Sequence, residues 1–99
     1  MIIMFNEKVV LVTGGTRGIG YTTVEEFLKE GARVILFGSR EESVTKAINS
    51  LKEKNNEYKV EGYFTDLANL EEMEKVAKEI ATKYGKIDIL VNNAGVSSS

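Results

Sequence analysis

The segment Thr13-Gly14-Gly15-Thr16-Arg17-Gly18-Ile19-Gly20 connects a short apolar run to an amphipathic one. The run before it, Lys8 to Thr13, is typical of a strand buried on both faces of a parallel sheet. Glycines in such a turn let a ligand approach the backbone closely, and the positive end of the following helix favours a pyrophosphate. The segment therefore predicts a phosphate-binding turn, although any strand-to-helix connection can use glycine for purely structural reasons.

The residues on either side of this turn predict a repeated strand-helix pattern. A first helix is predicted from Gly18 to Glu30, with Gly31 as its C-cap and an apolar stripe of Ile19, Val24, Phe27 and Leu28. Arg33 to Phe37 is a second buried strand. Ser39 with Glu42 three residues later predicts a capping box for a second helix, which the polar run Lys52 to Asn56 ends. The stripe of that helix is Val44, Ala47, Ile48 and Leu51.

The pattern continues with a third strand candidate from Tyr58 to Phe64. Asn69 with Glu72 then predicts the cap of a third helix, which Gly85 ends, and its stripe is Leu70, Met73, Val76, Ala77, Ile80 and Tyr84. Lys86 to Asn92 is the fourth strand. Such alternation predicts right-handed strand-helix-strand units and an α/β fold, a doubly wound parallel sheet of Rossmann type with strand order 3-2-1-4.

The composition of the 99 residues excludes several classes of site. There is no cysteine and no histidine, which excludes disulfides, Cys/His zinc sites, thiol nucleophiles and Ser-His-Asp triads. Acidic and basic residues alternate and the net charge is −2, so nucleic acid is not an expected partner. No apolar run is long enough for a membrane span, and the sequence predicts a cytoplasmic protein without a membrane partner.

Two motifs together resemble one family. The turn has the spacing Gly-x-x-x-Gly-x-Gly, and Asn92-Asn93-Ala94-Gly95 follows the fourth strand. Both patterns, in these places, resemble the short-chain dehydrogenases/reductases, and the resemblance covers all 99 residues. It implies that residues 1–99 are the dinucleotide-binding half of a single Rossmann domain whose catalytic half is absent from the chain. It also implies a homo-oligomer, either a dimer or a tetramer.

The resemblance implies a set of cofactor-binding residues. In such enzymes the glycine turn holds the pyrophosphate and adenosine ribose, and here its positions are Gly14, Thr16, Arg17, Gly18, Ile19 and Gly20. The acidic residue after the third strand, Asp66, contacts the adenine amino group, with Leu67 beside it. Asn93 lies against the adenosine ribose or the approach path of the ring, together with Ala94 and Gly95, while Asn92 joins the strand ends.

The end of the second strand bears on the choice between NAD and NADP. A carboxylate there would bind the ribose 2′-hydroxyl of NAD, but the first carboxylate is Glu41, which is expected to belong already to the helix. Arg17 and Arg40 can flank a 2′-phosphate, with the Ser39 hydroxyl as a third donor. The sequence therefore predicts NADP as cofactor. The alternative is that Ser39 only caps a helix and Arg40 is only solvated.

The catalytic Tyr-x-x-x-Lys pair of the family is missing. Residues Glu25, Gly62, Leu67 and Asp88 stand four positions after the four tyrosines. No catalytic residue and no metal site is assigned. The resemblance implies an NADP(H)-dependent oxidoreductase that interconverts a ketone and a secondary alcohol, of which this chain supplies the cofactor-binding half. The alternative is a catalytically inactive nucleotide-binding or folding fragment.

Two substrate classes remain open. The glycine turn and the Asn-Asn-Ala-Gly motif resemble bacterial 3-oxoacyl-carrier-protein reductases. The stretch Ile35 to Val44 is more similar to bacterial bile-acid 3-hydroxysteroid dehydrogenases. Some of those enzymes carry an NAD-binding carboxylate at the position of Ser39, where this sequence departs from them.

Overall fold

The computed structural model describes residues 7–16, 18–66 and 69–93, which form four strands and three helices. In chain order these are β1 (Val9–Thr13), α1 (Gly18–Lys29), β2 (Arg33–Gly38), α2 (Glu41–Lys54), β3 (Lys59–Phe64), α3 (Leu70–Tyr84) and β4 (Ile89–Asn92). Strand and helix alternate throughout, as the sequence predicts.

The four strands form one parallel sheet in the order β3-β2-β1-β4. Thr13, the last residue of β1, lies in register with Phe37 of β2 and Asn92 of β4. All strands therefore end at the same edge, which brings together the segments that follow them. The predicted α/β class and strand order are confirmed.

The sheet separates two hydrophobic clusters, because successive side chains of a strand point to opposite faces. On one face, Val10, Val12 and Leu36 pack with residues of α1 and α2 such as Val24 and Leu51. On the other face, α3 packs against the sheet, and its Ile80 clusters with strand residues that include Leu11, Ile35 and Phe37. Burial on both faces explains why β1 and β2 are continuous apolar runs.

The predicted capping box between Ser39 and Glu42 is wrong. The structure places Arg40 at the N-cap of α2, with extended backbone and no hydrogen bond from its side chain to the helix. The reason is that β2 continues to Gly38, which pairs with Phe64, so the helix begins at Glu41. Glu42 is then the second helical residue, whereas a capping box needs the third.

The predicted cap of α3 is confirmed. The Asn69 side-chain oxygen accepts a hydrogen bond from the backbone N–H of Glu72 at 3.1 Å. Gly31 and Gly85 follow α1 and α3 with φ of 93° and 80°, the left-handed conformation in which glycine ends a helix without strain.

Two residues of the predicted apolar helix stripes are exposed instead of buried, and so is Leu90 of the fourth strand. Ile19 is 80% exposed and Leu70 is 76% exposed, because each lies in the first turn of its helix, where the chain enters from the sheet edge. Leu90 is 63% exposed on β4, which is an edge strand of the sheet and begins at Ile89 rather than at Lys86. In the part of the chain that the structure describes, no helix is long and apolar enough to span a membrane.

Candidate functional site

The glycine turn is held on the end of β2. The backbone N–H groups of Gly14 and Gly15 both donate to the carbonyl of Phe37, at 2.9 and 3.1 Å. Because both amides already donate to a backbone carbonyl, they cannot bind a ligand anion unless these hydrogen bonds of the turn break. The amides that start α1 lie in the first helical turn, where no intrahelical acceptor exists, and they are the donors that a phosphate would meet.

Gly20 and Gly18 have different structural roles in the turn. Gly20 is buried, and a Cβ there would overlap the carbonyl of Gly14, so α1 can sit directly on the turn only with glycine at this position. Gly18 has φ of 62°, and a Cβ there would meet nothing within 4 Å. Gly20 thus packs the helix, while Gly18 and the exposed Ile19 form the open side of the turn.

The end of β2 lies beside this open side. A Cβ at Gly38 would come within 2.6 Å of the Thr16 methyl group, so Thr16 and the end of β2 are in close contact. Ser39 and Arg40 follow directly and are both exposed. The Arg40 guanidinium lies 3.7 Å from the Glu42 carboxylate, an exposed ion pair that contributes little to stability. Arg17, the other predicted cation, lies outside the described residues.

The end of β3 positions the predicted adenine-binding loop. Thr65 is buried, its N–H donates to the carbonyl of Gly38 at 3.0 Å, and its hydroxyl donates to the Glu72 carboxylate. Asp66 follows and is exposed, while its carbonyl accepts a hydrogen bond from the N–H of Asn69 at 2.9 Å. Asp66 therefore lies at the same sheet edge as Ser39, one strand away. Leu67 lies outside the described residues.

Side-chain hydrogen bonds join the ends of β1 and β4. The Thr13 hydroxyl donates to the Asn92 side-chain oxygen at 3.0 Å and accepts from the backbone N–H of Asn93 at 3.1 Å. The prediction that Asn92 joins the strand ends is confirmed. The Asn93 side-chain N–H₂ is buried and has no hydrogen-bond partner among the described residues. Ala94 and Gly95 lie outside the described residues.

Sequence reasoning missed two anchoring residues of this edge. The sequence places Thr13 at the end of the first strand and the start of the glycine motif, but does not show that its hydroxyl connects β1 to β4. The sequence predicts Glu72 as part of a helix cap, but does not show that its carboxylate also accepts a hydrogen bond from Thr65 and so holds the loop before α3. A polar residue at the last position of an otherwise apolar strand was the available signal for Thr13.

At the amino-terminal ends of the strands, opposite the glycine turn, a separate side-chain hydrogen bond joins β1 to the segment before β4. The Asp88 carboxylate accepts a hydrogen bond from the N–H of Val9 at 2.8 Å and lies 3.2 Å from the Lys86 ammonium. The bond from Val9, together with Lys86, lowers the pKa of Asp88 below its usual value. Within the described residues, no group of three histidine, cysteine or acidic side chains could hold a metal ion.

Comparison with known proteins assigns the family. The family model described as short chain dehydrogenase matches residues 8–99. The chain is 42% identical to 3alpha-hydroxysteroid dehydrogenase of Mediterraneibacter gnavus over 99 residues, which are 100% of this chain and 40% of that protein. It is 39% identical to 3beta-hydroxysteroid dehydrogenase of the same organism over 92 residues, 93% of this chain and 33% of the relative.

Solved structures give the same assignment. L-sorbose reductase from Gluconobacter frateurii, complexed with NADPH and L-sorbose, has a TM-score of 0.85 at 37% identity and covers 99% of this chain and 37% of its own. The 2-keto-3-deoxy-D-gluconate dehydrogenase from Streptococcus agalactiae has a TM-score of 0.86 at 32% identity, over 98% of this chain and 36% of its own. The chain thus spans less than half the length of these relatives, and it belongs to the short-chain dehydrogenase/reductase family.

Proposed function

We propose that this chain supplies the cofactor-binding half of an NADP(H)-dependent oxidoreductase that interconverts a ketone and a secondary alcohol. The observation that carries the proposal is the contact between Thr16 of the glycine turn and Gly38 at the end of β2. It brings the open turn beside Ser39 and Arg40, at a strand end without a carboxylate. A nucleotide lying across this edge would meet both features together.

The residues at this edge fit a dinucleotide. The amides of Gly18 and Ile19 belong to the first turn of α1, at its positive end, where no intrahelical acceptor is available to them, and this suits the pyrophosphate; Thr16 and Arg17 directly precede them in the chain. The buried side-chain N–H₂ of Asn93 finds no acceptor in the ranges that the structure describes, and such a group costs stability unless an acceptor reaches it. We assign that acceptor to the ribose or its approach path, next to Ala94 and Gly95.

The roles of two turn residues are narrower than the family resemblance implies. Gly14 donates its amide to Phe37, so its contribution to cofactor binding is the shape of the turn. Gly20 packs directly against the backbone of Gly14 and so allows α1 to lie close to the turn. Both would act on the cofactor through the position of the amides that follow.

The adenosine end of the cofactor would lie across the ends of β2 and β3. Asp66 is exposed one strand away from Ser39, in reach of an adenine amino group, with Leu67 beside it. Arg17, Ser39 and Arg40 would surround a 2′-phosphate. The structural relative L-sorbose reductase, which is complexed with NADPH, supports this choice of cofactor.

The bound dinucleotide would supply the hydride chemistry, and this chain would bind and orient it. None of the four tyrosines of the sequence is followed by a lysine four residues later, so the proposal assigns proton transfer to no residue of this chain. That same observation favours the second candidate function, a nucleotide-binding segment with no turnover of its own.

We propose a 3-hydroxysteroid, such as a bile acid, as the substrate class rather than a 3-oxoacyl thioester. The support is the 42% identity to a 3alpha-hydroxysteroid dehydrogenase over the entire chain. For the whole protein we propose a cytoplasmic dimer or tetramer with no nucleic-acid partner. The exposed Leu90 on the edge strand β4 supports further packing there, by more of the chain or by a second subunit.

The proposal is tested by assaying the whole protein that carries this segment. Oxidation of NADPH and of NADH is followed with a 3-keto bile acid and with an acetoacetyl thioester. Turnover of the steroid with NADPH is expected, whereas turnover of neither carbonyl would favour the non-catalytic function. The 99-residue chain on its own serves as the matched control and is expected to turn over neither substrate.

A further inference from the structure

A groove separates the N-terminal halves of α1 and α2 next to the glycine turn. Its volume is about 490 Å³, and it is lined by Thr16, Gly18, Tyr21, Ser43, Lys46, Ala47 and Ser50. At the end farther from the turn, the hydroxyls of Tyr21 and Ser50 form a hydrogen bond of 2.8 Å that joins the two helices. At the other end the groove is lined by Thr16, which contacts the end of β2 at Gly38, and by Ser43 in the first turn of α2.

Lys46 differs from the other cations of α2. The Lys52 ammonium donates to the carbonyl of Tyr58 at 2.7 Å, and the Lys54 ammonium donates to Glu25 at 3.1 Å. Lys46 lines the groove and, in the ranges that the structure describes, has neither an ion pair nor a hydrogen bond. Glu42, four residues earlier and suitably spaced to pair with it, lies instead against Arg40 at 3.7 Å.

The usual direction of a helical side chain allows the Lys46 charge to approach the turn. Long side chains on a helix lean toward its N-terminus, and the N-terminus of α2 is the end that carries Arg40. Lys46 follows Ser43 by three residues on the same face of α2, so its ammonium can reach the end of the groove that Thr16 and Ser43 line.

The net charge of the side chains at the start of α2 is negative unless Lys46 is counted with them. Arg40 is positive, whereas Glu41 and Glu42 are negative, so these three side chains sum to one negative charge. A 2′-phosphate, which carries between one and two negative charges, would be repelled by such a balance. Lys46 restores neutrality, and Arg17 would make the surroundings of the phosphate positive.

We infer that Lys46 is a specificity-determining residue that favours NADP over NAD by attracting the 2′-phosphate to the mouth of this groove. The inference rests on the proposed function and adds to it a residue outside the glycine turn and the end of β2. Lys46 acts through its charge, so Lys46→Arg is expected to retain the effect and Lys46→Gln to lose it.

The test compares Lys46→Gln with Lys78→Gln in the whole protein that carries this segment. Lys78 is also an exposed helical lysine, but it lies on α3, across the sheet from the groove. Dissociation constants for NADPH and NADH are measured by fluorescence titration at low and at high salt. Lys46→Gln is expected to weaken NADPH binding about two- to fivefold at low salt, as for an exposed ion pair, and less at high salt.

Binding of NADH should change less than that of NADPH in Lys46→Gln, and Lys78→Gln should change neither. Equal weakening of both nucleotides, or no weakening of either, would overturn the role of Lys46 while leaving the proposed function intact if the wild type prefers NADPH. A wild type that binds NADH as tightly as NADPH would overturn the cofactor assignment as well. The two failures are therefore distinguishable.

A second variant tests the effect of charge independently, in case Lys46→Gln weakens binding only because it disturbs folding. Glu42→Gln removes a negative charge from the same end of α2, where the side chain is exposed. It is expected to tighten NADPH binding and leave NADH binding nearly unchanged. Weaker or unchanged NADPH binding in Glu42→Gln would contradict the charge balance on which the inference depends.

Discussion

The Thr13 hydroxyl donates to the side-chain oxygen of Asn92 at 3.0 Å, and this bond joins the last residues of two parallel strands. It adds to the backbone hydrogen bonds that hold the two segments leaving the sheet here, which run from Gly14 and Gly15 to Phe37 and from Asn93 to Thr13. The same hydroxyl accepts from the N–H of Asn93, so one buried side chain orders the start of both motifs. The glycine turn and the Asn-Asn-Ala-Gly motif are thus physically coupled.

We expect Thr13→Val to lower the free energy of unfolding by about 0.5–1.5 kcal/mol, because the Asn92 side-chain oxygen loses its donor and the Asn93 N–H keeps only the carbonyl of Thr13, at 3.3 Å. Valine keeps the shape of threonine, so packing changes little. Chemical denaturation of the whole protein measures the loss. Thr45→Val is the matched control, since Thr45 is exposed on α2. A loss no greater than that of the control would show that the hydroxyl does not hold the strand ends.

We expect Gly20→Ala to be more damaging than Gly18→Ala. A Cβ at Gly20 would overlap the carbonyl of Gly14, so the helix or the turn must shift, at a cost of roughly 1–3 kcal/mol or more. A Cβ at Gly18 meets open space, and the cost there comes from its positive φ, about 1–2 kcal/mol. Thermal melting ranks stability, and NADPH titration ranks binding. If Gly20→Ala bound NADPH as tightly as the wild type, the claim that α1 needs glycine at this position to lie against the turn would be contradicted.

We expect the stabilisation by Asp88 to disappear in acid. The pKa of Asp88 is lowered in the folded protein, chiefly by the hydrogen bond from Val9, so its carboxylate stabilises the fold above its unfolded pKa of about 3.9. That stabilisation is lost as the pH falls through the lower pKa of the folded state.

The measurement is the melting temperature of wild type and Asp88→Asn as a function of pH. The wild type should melt at the higher temperature at neutral pH, and the difference should close below about pH 4. Glu79→Gln, an exposed change on α3, controls for the loss of one negative charge. A difference that stays constant down to the most acidic pH would contradict the account of this anchor.

The sequence predicted the elements well because their signals are local or periodic. Asn69 and Gly85 mark the ends of α3 through short-range geometry that a sequence displays directly. Ser39 offered an equally good local signal and was wrong, because pairing of Gly38 with β3 extended β2 and moved the helix start. Register between strands is a tertiary property that spacing along the chain does not reveal.

The position of the glycine turn between β1 and α1 was predictable, but its hydrogen bonding was not. The glycine turn lies where its motif indicates. The hydrogen bonds from the Gly14 and Gly15 amides to the carbonyl of Phe37, however, depend on the position of the neighbouring strand, which the motif does not reveal. Ile19 matched a helical apolar stripe and is exposed, because hydrophobic spacing does not show where the helix leaves the sheet.

The central claim is the selection of NADP by the cations beside the end of β2, and the double variant Arg17→Ala/Arg40→Ala tests it most directly. Arg40→Ala alone can be masked by Arg17, and Arg40 also faces Glu42, so both cations must be removed. Affinities for NADP and NAD are measured in the whole protein, with Lys78→Gln as the control. The account predicts that the ratio of NADP to NAD affinity falls about tenfold or more, because charge-assisted hydrogen bonds to the 2′-phosphate are lost. A ratio equal to that of the wild type would contradict the assignment of NADP.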